Sequence, residues 1–229
     1  MTRQRGSLKN FPIERACVTQ ICLSKKVILE DKLPRKIATV AGVDVSYVSD
    51  TAVGAVVVLN FESLNLLEAQ IAVCKVKMPY VPTLLSFRET PPALAAIRKL
   101  KIQPEVFIVD AQGRSHPRRC GFASHLGLVL NKPTIGAAKT RLIGEPTEID
   151  GQTFLVDEGE VVGTVVTTKL GAKPIFVSIG HMVSLERAVE IVRHCSKERI
   201  PEPTLQAHKL ATNERNRLSL KSKVNIVQE

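Results

Sequence analysis

The alternation of short apolar segments with helix-like segments after residue 89 constrains the fold of this chain more than any other feature. A helix is predicted to start at Thr90-Pro91-Pro92, because threonine caps a helix and proline is tolerated in the first turn. The apolar segment EVFIVD (105–110) then predicts a short buried strand, residues 120–131 a helix, and PTIGAAK (133–139) another strand. Strands that alternate with helices indicate a sheet with a parallel half.

Three longer strand-like segments precede that part of the chain: IATVAGVDVSYV from Ile37, AVGAVVVLNF from Ala52 and LLEAQIAVCKVKM from Leu66. Their short connections predict an antiparallel meander. We also predict a helix within residues 11–29, a β-rich portion over 153–179, a helix over 184–195 and a basic tail after it. The expected fold class is therefore α/β. One domain over residues 1–220 would hold a mixed β-sheet flanked by helices, with a frayed tail over 221–229.

The chain carries a strong positive charge. Its 229 residues include 32 basic and 22 acidic side chains, which leave a formal net charge of +10. Such an excess attracts polyanions, so nucleic acid is the first candidate partner and an anionic membrane the second. No apolar run approaches the roughly 20 residues of a spanning helix, so we expect no membrane partner. Five scattered cysteines without a C-x-x-C pair favour a reducing, cytoplasmic setting over a zinc site or a disulfide framework.

Two acidic residues lie in segments that otherwise suit burial. Asp44 lies within VAGVDVSY, and Asp110 ends EVFIVD. A carboxylate in an apolar strand is costly unless it is paired or binds a metal. A salt bridge to lysine or arginine explains either acid alone, whereas two acids on neighbouring strands favour a shared cation. Magnesium prefers oxygen ligands and often uses one or two carboxylates beside a substrate phosphate.

Two further residues are candidates for the same site. Glu89, in SFRETPP, directly precedes the predicted helix and could supply a third oxygen ligand. An acid at that place would also complement the helix dipole without binding any metal. Lys139 follows the strand PTIGAAK and could reach a phosphate as a point charge, but taken alone it is explained as an ordinary surface lysine.

Several segments together resemble the endonuclease V family in order and spacing. They are GVDVSY around Asp44, PYVPTLLSFRE (79–89), DAQGRSHPRRCGFASHLG from Asp110, and PTIGAAKTRLIGEP around Lys139. The resemblance covers roughly residues 40–203, and several motifs matched jointly are far more specific than one alone. It implies a ribonuclease H-like fold and a magnesium or manganese cofactor. It also implies nicking of DNA at the second phosphodiester bond 3′ to deoxyinosine, and some family members cut inosine-containing RNA.

The resemblance also implies roles for individual residues. Asp44, Glu89 and Asp110 would hold the metal, which would activate water and stabilise the leaving 3′ oxygen. Lys139 would contact the scissile phosphate. Family members carry a late acid or histidine that completes the site, and His208, in PEPTLQAHKL, is the best match. A solvated helix histidine explains His208 equally well.

The segment that follows Asp110 combines a glycine, a histidine and several arginines. Under the resemblance, Gly113 lets the backbone approach the substrate strand closely. His116, Arg118 and Arg119 would line the path of the phosphate chain. The alternative is a basic, solvated loop with Asp110 in a salt bridge, which leaves the other acids and the lysine to be explained separately.

The segment PYVP, residues 79–82, presents a tyrosine between two prolines. The fixed φ angles stiffen the loop, so its apolar tip can enter a base stack, and in the family this motif is the strand-separating wedge. Tyr80, Pro82 and Leu85 are therefore predicted nucleic-acid contacts, although a tyrosine packed on the core would also explain Tyr80. The family commonly has glycine at two nearby positions where this chain has Thr83 and Ala111. Both changes bear on the base pocket and the lesion preference.

Other functions stay open on sequence grounds. A non-catalytic nucleic-acid-binding module would use the same basic surface, but three carboxylates would repel phosphate unless a cation intervened. Another ribonuclease H-like nuclease, acting on flaps or mismatches, is compatible with the two departures from glycine. A hydrolase built on His181 with Ser184 or Cys120 lacks a nucleophile-elbow pattern. We expect a monomeric, metal-dependent endonuclease that acts on deaminated adenine in DNA repair.

Overall fold

Nine strands join one mixed β-sheet in the computed structural model, which describes residues 12–227 and the side chains of residues 12–220. In chain order the strands are β1 (Thr39–Val48), β2 (Thr51–Asn60), β3 (Leu66–Lys75), β4 (Val106–Val109), β5 (Thr134–Ala138), β6 (Glu145–Ile149), β7 (Gln152–Asp157), β8 (Glu160–Val166) and β9 (Ile175–His181). Their order across the sheet is β3-β2-β1-β4-β5-β9-β8-β7-β6. β1, β2 and β3 pair antiparallel, whereas β1, β4 and β5 pair parallel. The predicted fold class is confirmed.

Five helices accompany the sheet: α1 (Ile13–Ser24), α2 (Leu85–Ile97), α3 (Phe122–Leu130), α4 (Leu185–His194) and α5 (Glu202–Val227). In the part of the chain that the structure describes, none of them has the length and apolar character needed to cross a bilayer. The helices predicted around residues 120–131 and 184–195 are confirmed, and α1 occupies the middle of its predicted range. The side chains of the predicted frayed tail, residues 221–229, lie outside the described residues.

The start predicted for the second helix is wrong. α2 begins at Leu85, and Pro91 and Pro92 lie inside it. The Thr90 hydroxyl does not cap the helix but donates to the Ser86 carbonyl one turn earlier. Packing against β2 explains why two prolines are tolerated here, because a Cβ on Gly54 would lie only 2.1 Å from the Pro92 carbonyl oxygen. This close contact outweighs the local proline signal.

Alternate residues of the central strands pack into two separate hydrophobic cores. In β4, Val106 and Ile108 belong to a core shared with α4 and α5, whereas Phe107 and Val109 belong to one shared with α2 and α3. The period of two that sends successive side chains to opposite faces produces this division. The sheet is thus covered on both faces, as expected for strands that read as continuous apolar runs.

Helix α5 was not predicted, because its sequence is polar and basic. Its sequence signal is a row of small residues, Thr204, Ala207 and Ala211, which are fully buried. They allow close packing on β1, where a Cβ on Gly42 would lie 1.9 Å from the Pro203 carbonyl oxygen. The helix is therefore positioned by contact with the sheet rather than by a conspicuous apolar face.

We predict that Gly42→Ala lowers the free energy of unfolding by about 2 kcal/mol. The added methyl group would overlap the Pro203 carbonyl unless α5 moved away from β1. Gly151→Ala is the control. Its Cβ would meet no atom within 4 Å, so only its positive φ of 75° should contribute, at about 1 kcal/mol. Urea titrations measure both, and equal losses in the two variants would contradict the predicted contact.

Candidate active site

The two carboxylates predicted from the strands meet at neighbouring strand ends. Val43 in β1 pairs with Val109 in β4, so Asp44 and Asp110 occupy equivalent positions on two parallel strands. The Asp110 N–H donates to the Val43 carbonyl, which continues the pairing one residue beyond β4. Both carboxylates are largely withdrawn from solvent, with side chains 14% and 11% exposed. The sheet register thus brings together the two acids that the sequence singled out.

Helix α5 brings a histidine to the same place. The Nδ1 atom of His208 lies 2.8 Å from Oδ2 of Asp44. Ligand atoms of Asp44, Asp110 and His208 all lie within 4.8 Å of one another, close enough for one metal ion to bind all three. The His208 side chain is 48% exposed, so the site is open on this side. The sequence left His208 equally explained as a solvated residue, and the fold places it beside the carboxylates.

Glu89 faces these acids from α2 but is not a member of that three-residue group. Burial is the main cause that raises the pKa of Glu89 to about 8, and the charges of Asp44 and Asp110 raise it further. The pKa of Asp44 is also raised, chiefly by burial and then by the charge of Asp110. Withdrawal from water, and after it the charge of neighbouring acids, therefore disfavours the ionised form of both carboxyl groups.

Lys139 supplies compensating positive charge. It directly follows β5, and its ammonium group forms an ion pair with Oδ2 of Asp110. The lysine side chain remains 38% exposed, so its outer side can still meet a ligand. Carboxylate oxygens beside an imidazole, with a third carboxylate nearby, suit a hard divalent cation. The residues present therefore fit the metal that the sequence analysis expects.

A cavity of about 500 Å³ adjoins the carboxylates. Its volume lies in the range of small-ligand sites. Four of the eight residues predicted to contact nucleic acid line it, namely Tyr80, Leu85, His116 and Lys139. Asp110 and both departures from glycine, Thr83 and Ala111, line it as well. Tyr80 is 68% exposed, and Pro82 is exposed but does not line the cavity. A larger cavity of about 610 Å³ lies between β7, β8 and α4 and contains none of the predicted site residues.

Two polar residues at this cavity were missed by the sequence analysis. Gln112 is 8% exposed and donates from Nε2 to the Thr140 carbonyl, whereas its Oε1 meets no hydrogen-bond partner among the described residues. The hydroxyl of Ser86, a residue 2% exposed, is also without a partner there. Their only sequence signal is proximity to Asp110 and Leu85.

The loop after Asp110 makes more contacts within the protein than predicted. Gly113 lies against β9, where an added Cβ would lie 2.1 Å from the Ile179 carbonyl oxygen. The close backbone approach observed at this glycine is therefore to β9 of the same protein. Arg119 is 15% exposed and pairs with Asp157 at 2.8 Å and with Glu160 at 2.7 Å. The phosphate contact expected of Arg119 stays a prediction, and its guanidinium group is already paired with acids.

His116 and Arg118 are similarly engaged, since both form hydrogen bonds to the Thr83 carbonyl. Arg118 also donates to Thr83 Oγ1 and to Gln20. The expected contacts of His116 and Arg118 with the phosphate chain remain predictions. In this structure the two side chains support the loop that carries Tyr80.

The residues of the hydrolase alternative have structural partners. His181 Nδ1 accepts a hydrogen bond from the Ile28 N–H, and the Ser184 hydroxyl caps α4 by accepting from the Arg187 N–H. Burial raises the pKa of the Cys120 thiol to about 12, which leaves it without thiolate character at neutral pH. These contacts support the carboxylate site over a serine or cysteine nucleophile.

Comparison with known proteins agrees with this geometry. The model of the family described as Endonuclease V matches residues 21–209. The chain belongs to the endonuclease V family. An endonuclease V from Thermofilum pendens is 45% identical over 207 residues, which cover 89% of this chain and 89% of that protein. The family recognised from the motifs is confirmed, and the chain is therefore a nuclease, a hydrolase of phosphodiester bonds.

Solved structures of the family share the fold closely. The endonuclease V of Streptomyces avermitilis has a TM-score of 0.83 at 37% identity, covering 94% of this chain and 97% of that chain. The endonuclease V of Ciona intestinalis, with a TM-score of 0.82 at 32% identity, was crystallised with a 24mer DNA containing an inosine followed by a ribo-adenosine. That match covers 90% of this chain and 98% of the Ciona chain. A divalent metal is implied by the family.

We predict that a divalent cation stabilises the protein through the acidic site. Magnesium or manganese at 100 times its dissociation constant should raise the free energy of unfolding of chelator-treated protein by about 2.7 kcal/mol. Asp44→Asn should lose this gain. Without added cation, however, it should be no less stable than the wild type, because one charge that raises the pKa of Glu89 is removed. Asp50→Asn, an exposed acid in the β1–β2 turn, is the control, and equal gains in all three proteins would contradict a site at Asp44.

We predict that His116, which is buried, and His125, which is partly buried, make the fold acid-sensitive. Burial lowers the pKa of His116 and of His125 from 6.5 to about 4. Since the folded pKa lies below the unfolded one, the neutral rings stabilise the fold above pH 6.5, and this stability is lost as the pH falls toward 4. His125→Phe should reduce the loss between pH 7 and pH 4 by roughly 2–3 kcal/mol in urea titrations. The ring of His125 packs edge-on against Phe87, and its Nδ1 has no partner among the described residues, so phenylalanine is a suitable replacement. An unchanged pH dependence would contradict the assignment.

Proposed function

We propose that this endonuclease acts in DNA repair and nicks DNA containing deoxyinosine at the second phosphodiester bond 3′ to the lesion. The observation that carries the proposal is the meeting of Asp44, Asp110 and His208 beside a cavity that Asp110 and Lys139 help to line. Membership of the family supports the reaction. The inosine-containing DNA bound to the Ciona intestinalis relative supports the substrate.

Asp44, Asp110 and His208 would hold the metal, with Glu89 as a further carboxylate close by. A bound magnesium or manganese ion would act as a Lewis acid that offsets the charge developing on the phosphate oxygens. In the absence of a cation, the raised pKa of Glu89, about 8, keeps its carboxyl group protonated near neutral pH. To act as a metal ligand, Glu89 would have to release that proton, because the ionised carboxylate is the form that ligates a cation.

Lys139 would hold the scissile phosphate. Its ion pair with Asp110 fixes the ammonium group at the border between the carboxylates and the cavity. A point charge in this place attracts a phosphate oxygen without demanding a particular orientation. The lysine would therefore align the bond to be cut with the site where the metal acts.

The cavity would receive the flipped base. Leu85 and Ala111 contribute apolar surface to it, and the side-chain Oε1 of Gln112, which has no hydrogen-bond partner among the described residues, offers a buried acceptor. Tyr80, exposed at the rim, would take the place of the base in the stack, and Pro82 would stiffen the loop. Extrusion of a base from the duplex costs roughly a few kcal/mol, and it costs least where the base pair is weak. A mispaired hypoxanthine would therefore be extruded more readily than a normal base.

Inosine-containing RNA is a second candidate substrate. The DNA bound to the Ciona intestinalis relative carries a ribonucleotide directly after the inosine, so the 3′ neighbour of the lesion can be a ribonucleotide in that protein. A monomer would suffice for the proposed reaction, because Asp44, Asp110 and His208 meet within a single chain. All five cysteines are free thiols, which supports the proposed cytoplasmic setting.

We predict that Asp44→Asn lowers nicking of an inosine-containing duplex in magnesium by more than about 100-fold, a loss seen even for residues that only support a metal ligand. Glu148→Gln removes an exposed carboxylate on β6 and should leave the rate unchanged. Labelled duplexes with inosine, inosine followed by a ribonucleotide, inosine RNA, uracil and a flap form the substrate panel. Undiminished cutting by Asp44→Asn, or a preference for flaps over inosine, would overturn the proposed function.

A further inference from the structure

Thr83 has a strained backbone at a position that matters for the site. Its φ of 66° lies in the left-handed region, which a β-branched residue enters only at a cost. Glycine adopts this conformation without strain. Thr83 directly follows the PYVP loop and lines the cavity. A strained residue of this kind persists only when the surrounding structure holds it in place.

Two side chains hold the Thr83 carbonyl. His116 Nε2 lies 2.9 Å from this oxygen and Arg118 Nη2 lies 3.0 Å from it. The Arg118 N–H donates to His116 Nδ1, so the imidazole is neutral and its proton is on Nε2, where it is donated to Thr83. Both lone pairs of the carbonyl oxygen are thereby used. Arg118 Nη2 also lies 2.5 Å from Thr83 Oγ1, so the arginine binds both the backbone and the side chain.

Helix α1 holds the arginine from the other side. Gln20 is fully buried, and its Oε1 accepts a hydrogen bond of 2.6 Å from Arg118 Nε. Gln20 Nε2 donates to the Cys120 carbonyl at 2.5 Å, which fixes the amide orientation. The same helix packs beneath the loop in a small apolar cluster of Ala16, Met78 and Leu84. Residues 13–20, which include Gln20, precede the segment that the family model matches.

We infer that Arg118, held by Gln20, is a positioning residue: it fixes the left-handed conformation of Thr83 and thereby the orientation of the PYVP loop. The planar guanidinium supplies several donors in one rigid arrangement, which a lysine cannot reproduce. This clamp explains how the chain accommodates threonine where the family pattern has glycine. The inference rests on the proposed function only in assigning Tyr80 to strand separation.

The first test needs no nucleic acid. Amide hydrogen exchange is compared in wild type, Arg118→Met, Arg118→Lys and the control Arg114→Met, an arginine that is 13% exposed and ion-paired with Glu160. Exchange over residues 83–87 should rise about tenfold in both Arg118 variants, the effect of losing a hydrogen bond to a charged group. The control should leave this segment unchanged. Unchanged exchange in the two Arg118 variants would overturn the inference.

The second test separates positioning from phosphate contact. Arg118→Met should lower kcat/KM on the inosine duplex about tenfold. Glycine at position 83 adopts the required φ unaided, so Thr83→Gly should raise kcat/KM at least about threefold in the Arg118→Met background. The same substitution should not raise kcat/KM in the Arg114→Met background. For duplex binding by Arg118→Met, the slope of log K against log salt should equal that of the wild type.

A different pattern would contradict the clamp. If Arg118 contacts phosphate, Arg118→Met should reduce the slope of log K against log salt by about one. Thr83→Gly should then leave kcat/KM of the Arg118→Met variant unchanged. Full activity in Arg118→Lys with its slope intact would also overturn the inference, because a point charge would then suffice. A wild type that fails to cut inosine substrates overturns the proposed function, whereas hydrogen exchange still decides the role of Arg118.

Discussion

The withdrawal of three carboxyl groups from water, and the repulsion among them, is the constraint on which the rest of the structure depends. The parallel pairing of β1 with β4 places Asp44 and Asp110 side by side, and α2 adds Glu89, whose pKa is raised to about 8. Such an arrangement opposes folding unless positive charge compensates it. Lys139 provides part of that charge, and His208 Nδ1 lies 2.8 Å from Asp44 Oδ2, but the remaining negative potential suits a divalent cation. A cost in stability is thus retained where phosphate and metal would meet.

Close backbone contacts bring the site together. Gly42 allows α5 to approach β1 at Pro203, and this contact sets the start of the helix that carries His208. Gly54 allows α2 to approach β2 at Pro92, three residues after Glu89. Because the helices contact the sheet through backbone atoms, small lateral shifts are resisted by steric overlap rather than by soft side-chain packing. The positions of Glu89 and His208 therefore depend on glycine at positions 54 and 42, where any side chain would overlap the backbone of the helix.

The basic loop after Asp110 makes contacts within the protein that its composition does not indicate. A run of arginines beside a histidine is typical of a phosphate-binding surface. In the structure, Arg119 also pairs with Asp157 and Glu160 of the β7–β8 hairpin, and Arg118 donates to the Thr83 carbonyl. The sequence could not show this, because the partners lie roughly 35 to 40 residues away in the chain and are brought near only by the sheet order. The net charge of +10 describes the whole chain, and part of the positive charge of this loop is already neutralised by the acids that pair with Arg119.

Apolar patterning and local motifs were enough to predict a mixed sheet with a parallel half, because strand period and strand ends are visible in the local sequence. They also placed Asp44 and Asp110 on strands that could be neighbours, which the register of β1 with β4 confirms. The same patterning failed at the start of α2 and at α5, where proline and polar residues gave the wrong local signal. Tertiary packing alone decided that Pro91 and Pro92 lie within a helix, that His208 reaches Asp44, and that Gln20 supports Arg118. The physical reason is that contact energies between distant segments exceed local backbone preferences of about 1 kcal/mol per residue, and only the folded chain brings such segments together.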